Sequence, residues 1–291
     1  MNCKGVGPAF WMAVILIPFL AFGIFHILPS DNDADDLSAT ISFESQYLRI
    51  EQVRQNQPEE PHAPGALKIP IFIYHSVRAH IPNESQLQDA YDITPELLER
   101  QLAYLQINGY TAITLDQLAT DLETGTTSPI AKPVVLTFDD GWQNQYKNAF
   151  PLLKKYHMTA TFYVFTNPIG KKPHFLTWDE LREMDKAGMT IGDHTLSHPY
   201  FRTLPPEEIK IEATESKKIL ESELGKPVLH FASPFGSTNP QIQQTLKDAG
   251  YKTARTTYKG IYHARTDLLK LRGILVSDNF EDFVRALNPE P

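Results

Sequence analysis

Two adjacent carboxylates, Asp139 and Asp140, follow a short apolar stretch and precede Gly141. Residues 134–138 are rich in β-branched and apolar types, which predicts a buried strand that ends at the glycine. Carboxylates at the carboxyl end of such a strand lie where α/β folds carry their active sites. Because two unpaired buried charges side by side are costly, we expect a metal ion or a shared proton beside them. An ordinary acidic turn is the alternative.

Two histidines four residues apart, His194 and His198, follow another predicted strand. Neutral imidazole is the commonest metal ligand. Pro199 disfavours helix at His198, so we expect the pair in a loop at the strand end. In a barrel, the ends of distant strands converge on one rim. One carboxylate and two histidines make an open divalent-metal site, and the second carboxylate is then free to act as a base in metal-assisted hydrolysis. Surface histidines without a ligand are the alternative.

Strands and helices alternate from residue 67 onward. Thr94 before Pro95, and Thr177 three residues before Glu180, are typical of helix N-termini. Roughly eight strand–helix steps in about 225 residues predict an α/β fold with a parallel barrel of seven to eight strands. The predicted strands are 69–74, 112–114, 134–138, 159–165, 190–192, 228–232, 252–256 and 274–276. The predicted helices are 95–108, 114–123, one ending at 156, 177–188, 206–224, 240–250 and 280–287.

The beginning of the chain has a different composition. Residues 5–30 contain no Lys, Arg, Asp or Glu and are long enough to cross a bilayer. Lys4 before them and several aspartates after them predict that the rest of the chain lies outside the cytoplasm. We therefore expect a membrane anchor at residues 1–30, with a cleaved signal peptide as the alternative. Acidic residues and prolines predict a flexible linker at 31–65, which leaves 66–291 as the catalytic domain.

Composition argues against several functions. The net charge of the 291 residues is −8 and no basic run occurs, so nothing supports nucleic-acid binding. Cys3 is the only cysteine, which excludes a disulfide within the chain and a cysteine metal site. Any metal must therefore be held by histidine and carboxylate. No Gly-x-Ser-x-Gly elbow occurs, and Cys3 lies on the other side of the predicted anchor, so a serine or cysteine hydrolase is disfavoured.

Three segments, taken in order, resemble the first three motifs of the polysaccharide deacetylases, carbohydrate esterase family 4. They are residues 137–141, 194–198 and 231–236, which read TFDDG, HTLSH and FASPFG. The resemblance extends over about 69–287 and implies a distorted (β/α) barrel. The reaction that it implies is the removal of acetyl groups from the N-acetylated sugars of a polymer.

The same resemblance implies roles for the residues of the first two motifs. Asp140, His194 and His198 would bind Zn²⁺, with Co²⁺ or Ni²⁺ as other possible ions, and Asp139 would be the catalytic base. A bound divalent ion polarises the acetamide carbonyl and acidifies water, and Asp139 would take the proton of the attacking water. In the third motif, the family places an oxyanion-binding backbone N–H at the position of Phe235.

The chain departs from the family pattern at two places. Ala232 stands where the family often has an arginine that orients the base, and the third motif is instead similar to that of the exported poly-β-1,6-N-acetylglucosamine deacetylases. Arg272 is our first candidate for the missing charge and Arg255 the second. The late Leu-x-His motif, which supplies a general acid, is absent. His75, in a Tyr-His pair similar to that of the exported branch, is the candidate general acid.

Aromatic residues flank the motifs, and two of them, Trp142 and Tyr200, are candidates for stacking on sugar rings. Core or rim packing is the alternative for both residues.

Three hypotheses follow. The first is a membrane-tethered, metal-dependent N-deacetylase whose partner is an acetylated amino-sugar polymer outside the cytoplasm: poly-β-1,6-N-acetylglucosamine, peptidoglycan or a chitin-like chain. The second is a non-catalytic carbohydrate-binding descendant of the family. The third is an O-acetyl esterase that uses the same metal site.

Overall fold

The computed structural model describes residues 62–82, 91–127 and 129–288. The predicted membrane anchor and almost all of the predicted linker lie outside the described residues. Within the described ranges, no helix combines the length and the apolar composition needed to cross a bilayer.

Short strands and longer helices alternate along the described chain. The strands are β1 Leu67–Lys68, β2 Ile71–Tyr74, β3 Ser76–Val77, β4 Asp92–Ile93, β5 Thr111–Ala112, β6 Pro133–Phe138, β7 Thr161–Val164, β8 Thr190–Asp193, β9 His230–Ala232, β10 Thr253–Arg255, β11 Tyr262–His263 and β12 Ile274–Leu275. The helices are α1 Pro95–Ile107, α2 Leu115–Thr124, α3 Phe150–Lys155, α4 Trp178–Lys186, α5 Pro206–Leu224, α6 Pro240–Asp248 and α7 Phe280–Leu287.

Eight of these strands form one parallel sheet in the order β10-β9-β8-β7-β6-β2-β12, with β5 paired to β6. Leu271, three residues before β12, forms a parallel bridge with Arg255 of β10. The Gly273 N–H then donates to the Tyr258 carbonyl over 2.9 Å. These bonds join the two edges of the sheet, so the sheet curls as expected for a distorted (β/α) barrel.

The two faces of the sheet belong to different apolar clusters. Phe72 and Tyr74 of β2 pack in the largest cluster with Leu102 of α1, whereas Ile71 packs with Tyr163 in a second cluster. This alternation is the period of two that a strand imposes. All six residues of β6 are buried, as expected for a strand that is covered on both faces.

Helix starts agree with the sequence-based expectation. The Thr94 hydroxyl accepts from the Leu97 N–H at 3.1 Å, and Thr177 and Glu180 form a reciprocal capping box. The structure adds features that the sequence pattern did not predict. A π-helical turn, Gln145–Ala149, precedes α3, and two small sheets pair β1 with β11 and β3 with β4.

Candidate active site

Strand ends of the barrel bring the three predicted metal ligands together. Asp140 follows β6, and His194 and His198 follow β8. The Asp140 Oδ1 atom lies 3.6 Å from the Nε2 atom of His194 and 3.4 Å from the Nε2 atom of His198. One ligand atom from each residue lies within 4.8 Å of the others. The cluster is the open carboxylate-and-two-imidazole set that suits a divalent ion of the Zn²⁺ type.

The turn after β6 separates the two neighbouring carboxylates. Asp140 and Gly141 both have positive φ, at 76°, and a Cβ atom on Gly141 would lie 2.9 Å from the Val164 side chain. The glycine is therefore required both by conformation and by space. The indole N–H of Trp142 donates to Asp140 Oδ2 over 3.0 Å. This bond leaves Oδ1 facing the histidines.

Hydrogen bonding determines the tautomer of His194. Its Nδ1 atom lies 2.7 Å from the Ala232 carbonyl, and since a carbonyl only accepts, Nδ1 carries the proton. The lone pair of Nε2 then points to Asp140, which is the arrangement found in metal-binding histidines. Burial lowers the pKa of His194 to about 4, so the imidazole is neutral near pH 7.

Asp139 is almost completely buried, with 2% of its surface exposed. Its Oδ2 atom pairs with the guanidinium of Arg255 and lies 3.8 Å from His75 Nε2. Burial acts to raise the pKa of this carboxyl, but Arg255 and the nearby histidines outweigh burial and hold the pKa below its ordinary value. Its Oδ1 atom is buried and has no hydrogen-bond partner among the described residues. An ionised carboxylate with one unused oxygen is suited to accept a proton from a reacting group.

Comparison with known proteins identifies the family to which the chain belongs. The sequence model of the polysaccharide deacetylases matches residues 126–254. YxkH of Bacillus subtilis, whose name places it among the polysaccharide deacetylases, is 30% identical over 210 residues, which are 72% of each chain. The chain belongs to the polysaccharide deacetylase family.

Two further similarities agree with this family. A poly-β-1,6-N-acetyl-D-glucosamine N-deacetylase of Staphylococcus epidermidis is 28% identical over 73% of this chain and 80% of its own length. The solved structure of the Streptococcus pyogenes deacetylase PplD, in complex with acetate, superposes with a TM-score of 0.72 and 30% identity. That similarity covers 77% of this chain and all of PplD. Family membership makes this chain a polysaccharide deacetylase.

The arginine beside Asp139 differs from the first choice made on sequence. In this polysaccharide deacetylase, Arg255 and not Arg272 contacts Asp139, so the choice between the two arginines is corrected. Arg255 lies on β10, is completely buried and stands over the ring of Tyr163 at 5.4 Å. Arg272 lies instead in the irregular segment before β12, half-buried, where its charge contributes to lowering the pKa of His263.

The remaining predicted site residues lie around the same rim. His75 follows β2, and its ring lies 4.5 Å from that of Tyr91. Phe235 has positive φ, at 57°, and its ring lies 4.6 Å from that of His198 and 6.0 Å from that of Tyr200. Their roles as general acid, oxyanion donor and sugar contact stay predictions.

Trp142 makes a contact that the sequence did not predict. Besides its bond to Asp140, its ring stacks on Phe175 at 4.6 Å. The structure thus gives Trp142 a part in orienting the predicted ligand Asp140, and a contact with sugar stays a prediction.

Sequence reasoning also missed a buried amide beneath the site. Gln145 is completely buried, and its Nε2 group donates to the backbone carbonyls of His75, at 2.8 Å, and of Asp139. It thereby joins the ends of β2 and β6. The only sequence signal is its position one turn after the carboxylates, and nothing in the residue type reveals the contact.

Asp193 is a second missed carboxylate. It accepts hydrogen bonds from the Tyr251 hydroxyl at 2.6 Å, the Ser216 hydroxyl at 2.8 Å and the Thr195 N–H at 2.7 Å. Burial raises its pKa to about 7, an effect that these hydrogen bonds oppose. Asp193 thus anchors the start of the histidine loop, the segment of residues 194–198 that carries His194 and His198, to the surrounding structure.

Proposed function

We propose that this polysaccharide deacetylase is a metal-dependent hydrolase that removes N-acetyl groups from an N-acetylglucosamine-containing polymer outside the cytoplasm. The observation that carries the proposal is the position of Asp139. Its unpartnered Oδ1 atom is buried in the turn that also carries Asp140, which faces His194 and His198. This arrangement supports a proton acceptor and a metal site that act on one substrate group.

The residues of the candidate site would have separate parts in the reaction. Asp140 Oδ1 and the Nε2 atoms of His194 and His198 would hold the ion, with Zn²⁺ as our proposal and Co²⁺ or Ni²⁺ as substitutes. Such an ion, when bound, polarises the acetamide carbonyl and acidifies water. Asp139 Oδ1 accepts the proton of the attacking water while the water oxygen bonds to the carbonyl carbon.

Collapse of the tetrahedral centre then breaks the C–N bond and releases acetate and a free sugar amine. The backbone N–H of Phe235 would stabilise the negative charge on the former carbonyl oxygen. His75 would give a proton to the departing amine, and Arg255 keeps Asp139 ionised and in place.

Sequence features support the location and the class of polymer. Residues 1–30, uncharged from residue 5 onward and followed by aspartates, favour a membrane anchor with the catalytic domain on the outer side. The Staphylococcus epidermidis relative is named for poly-β-1,6-N-acetyl-D-glucosamine. A polymer of this kind is too large to cross a membrane, so an enzyme that acts on it is expected outside.

The decisive experiment measures acetate released by the purified chain from poly-β-1,6-N-acetylglucosamine, chitin oligomers and peptidoglycan. Each polymer is incubated with Zn²⁺ or Co²⁺, with a chelator, and with the Asp139→Asn variant. We expect release that requires metal and falls by a factor of about 10²–10⁴ in the variant, because a positioned base contributes that much.

Two results would contradict the proposal. Zn²⁺ binding without acetate release from any of the polymers would favour a carbohydrate-binding protein. Release only from O-acetylated substrates would favour an esterase.

A further inference from the structure

The loop that carries the two histidines has an unusual backbone. Thr195 and His198 both have positive φ, at 79° and 62°, which residues with a side chain rarely adopt. Such conformations persist only where the surroundings over-determine them. The neighbours that hold this loop are therefore candidates for a part in metal binding.

Side chains accept most of the backbone N–H groups of the loop. Asp193 accepts from Thr195, and the Thr195 hydroxyl accepts from the His198 N–H at 2.9 Å. The two middle N–H groups, of Leu196 and Ser197, donate to a residue that is distant from the three sequence motifs. That residue is Glu212 of α5.

Glu212 makes three hydrogen bonds to this loop. Its Oε2 atom accepts from the Leu196 N–H at 3.0 Å and from the Ser197 N–H at 2.9 Å. Its Oε1 atom accepts from the Ser197 hydroxyl at 2.6 Å. The carboxylate therefore binds the two residues immediately before His198, in charge-assisted bonds that are stronger than neutral ones.

The same helix also holds the start of the loop. Ser216, one helical turn after Glu212, donates to Asp193, which directly precedes His194. Both ends of the histidine loop are thus tied to α5, a helix of 19 residues that packs against β8. The segment that carries both imidazoles is thus bound to this helix as well as to the strand.

We propose that Glu212 is a positioning residue for metal binding: its carboxylate holds the loop so that His198 Nε2 faces Asp140 together with His194. The inference rests on the proposed function in taking these histidines as metal ligands. Without the carboxylate, the N–H groups of Leu196 and Ser197 lose their acceptor and the loop relaxes. His198 then leaves its position opposite Asp140.

Three variants test this role in the full chain. Glu212→Ala removes all three hydrogen bonds, whereas Glu212→Gln keeps an acceptor for the two N–H groups and loses the charge. Glu215→Ala is the matched control, because it makes the same charge change on the same helix but removes only a surface pair with Lys218. Competition with a chromophoric chelator gives the Zn²⁺ dissociation constant, and the visible absorption spectrum of bound Co²⁺ reports the ligand geometry.

We expect Glu212→Ala to weaken Zn²⁺ binding by on the order of tenfold to 100-fold, the range found when outer partners of metal ligands are removed. The Co²⁺ spectrum changes in this variant, Glu212→Gln lies between it and the unsubstituted chain, and Glu215→Ala behaves as the unsubstituted chain does. A residue that only stabilised the fold would lower the melting temperature without changing the Zn²⁺ affinity or the Co²⁺ spectrum of the folded molecules.

Equal Zn²⁺ affinity and equal Co²⁺ spectra in Glu212→Ala and the unsubstituted chain would overturn the inference while leaving the proposed function intact. Failure of the unsubstituted chain to bind either ion would overturn both. If Glu212→Ala does not fold, Glu212→Gln and Ser197→Ala decide the question, since each removes only part of the contact. Unchanged affinity in both variants would then count against the role of Glu212.

Discussion

Two buried histidines, His194 and His263, have much in common and differ in their surroundings. Both have at most 2% of their surface exposed, and burial lowers the pKa of each to about 4. His194 donates through Nδ1 to the Ala232 carbonyl and directs Nε2 towards Asp140. His263 lies at the other end of the barrel, on β11, which pairs with the β1 strand that leads into β2.

His263 has no comparable set of partners. Neither of its ring nitrogens makes a hydrogen bond of regular geometry with the described residues. Burial lowers its pKa and outweighs the Asp267 carboxylate and the Ile69 backbone, which act to raise it. Burial and a lowered pKa are common to both histidines, so these two properties do not by themselves mark a candidate metal ligand. His194 differs from His263 in having the Asp140 carboxylate 3.6 Å from its Nε2 atom, the His198 ring beside it, and the Ala232 carbonyl that determines its tautomer.

The largest expected effect is the difference in Zn²⁺ affinity between variants that lack His194 and variants that lack His263. We expect His194→Ala to weaken Zn²⁺ binding by more than the roughly 100-fold that loss of an outer partner costs, because a predicted ligand itself is lost. The matched variant His263→Ala leaves the Zn²⁺ dissociation constant unchanged. Isothermal titration of the folded variants checks both outcomes, and equal losses of affinity would remove the distinction between the two histidines.

The buried ion pair of Arg255 and Asp139, near His194, should make a large contribution to the free energy of unfolding. Arg255→Met leaves Asp139 buried without its partner, and we expect the free energy of unfolding to fall by about 3–5 kcal/mol. The double variant Asp139→Asn/Arg255→Met should recover part of that loss, because the uncompensated charge is gone. Chemical denaturation in the presence of chelator measures all three proteins. A double variant less stable than Arg255→Met would contradict this explanation.

The lowered pKa of His263 predicts that acid reduces the stability of the fold. Its folded pKa of about 4 lies below the ordinary value of 6.5, so the unfolded chain takes up a proton first as the pH falls. The contribution of neutral His263 to the free energy of unfolding is complete above about pH 6.5. It is lost progressively towards pH 4, by up to about 3 kcal/mol. His263→Leu should therefore lose less stability than the unsubstituted chain between pH 7 and pH 4.5, as measured by denaturation at each pH.

The pH comparison isolates His263 from other groups. His194 has the same direction of shift and remains in the variant, so only the difference between the two proteins reports on His263. Identical pH dependence of the two proteins would show that protonation of His263 does not contribute.

The smallest effect concerns a partner of the predicted ligands. Trp142→Phe removes the indole N–H that donates to Asp140 and keeps an aromatic ring beside Phe175. We expect Zn²⁺ binding to weaken by about tenfold. Trp178→Phe, at the start of α4, is the control and should leave the affinity unchanged. No difference between the two variants would mean that the hydrogen bond of Trp142 is dispensable.

Much of the fold could be predicted because its signals are local. Each of the eight strands expected from apolar runs overlaps a strand of the parallel sheet, and the helix that begins at Pro206 was predicted with its observed end at Leu224. The very short strands β1, β3, β4 and β11 were missed. A run of two residues has no detectable period, and only tertiary pairing makes it a strand.

The candidate site was predictable where its residues follow strand ends, as Asp139, Asp140 and His194 do. The choice between Arg255 and Arg272 depends on which of the two side chains lies beside Asp139 in the folded chain. That contact joins distant parts of the sequence, so no local pattern reveals it. Glu212 was missed for the same reason, because an acidic residue in the middle of a helix is usually solvated. The membrane anchor stays a prediction, since it lies outside the described residues.

The closure of the barrel by β12 has a consequence for how the chain folds. Ile274 of β12 pairs with Phe72 of β2, so the sheet is completed by segments about 200 residues apart in sequence. Contacts between such distant segments form slowly, because a long loop must close before they are gained. Until β12 has paired with β2, one edge of β2 is open to pairing with other chains. In a chain that folds after export, this edge of β2 is unpaired and exposed to aggregation until the last strand of the sheet has formed.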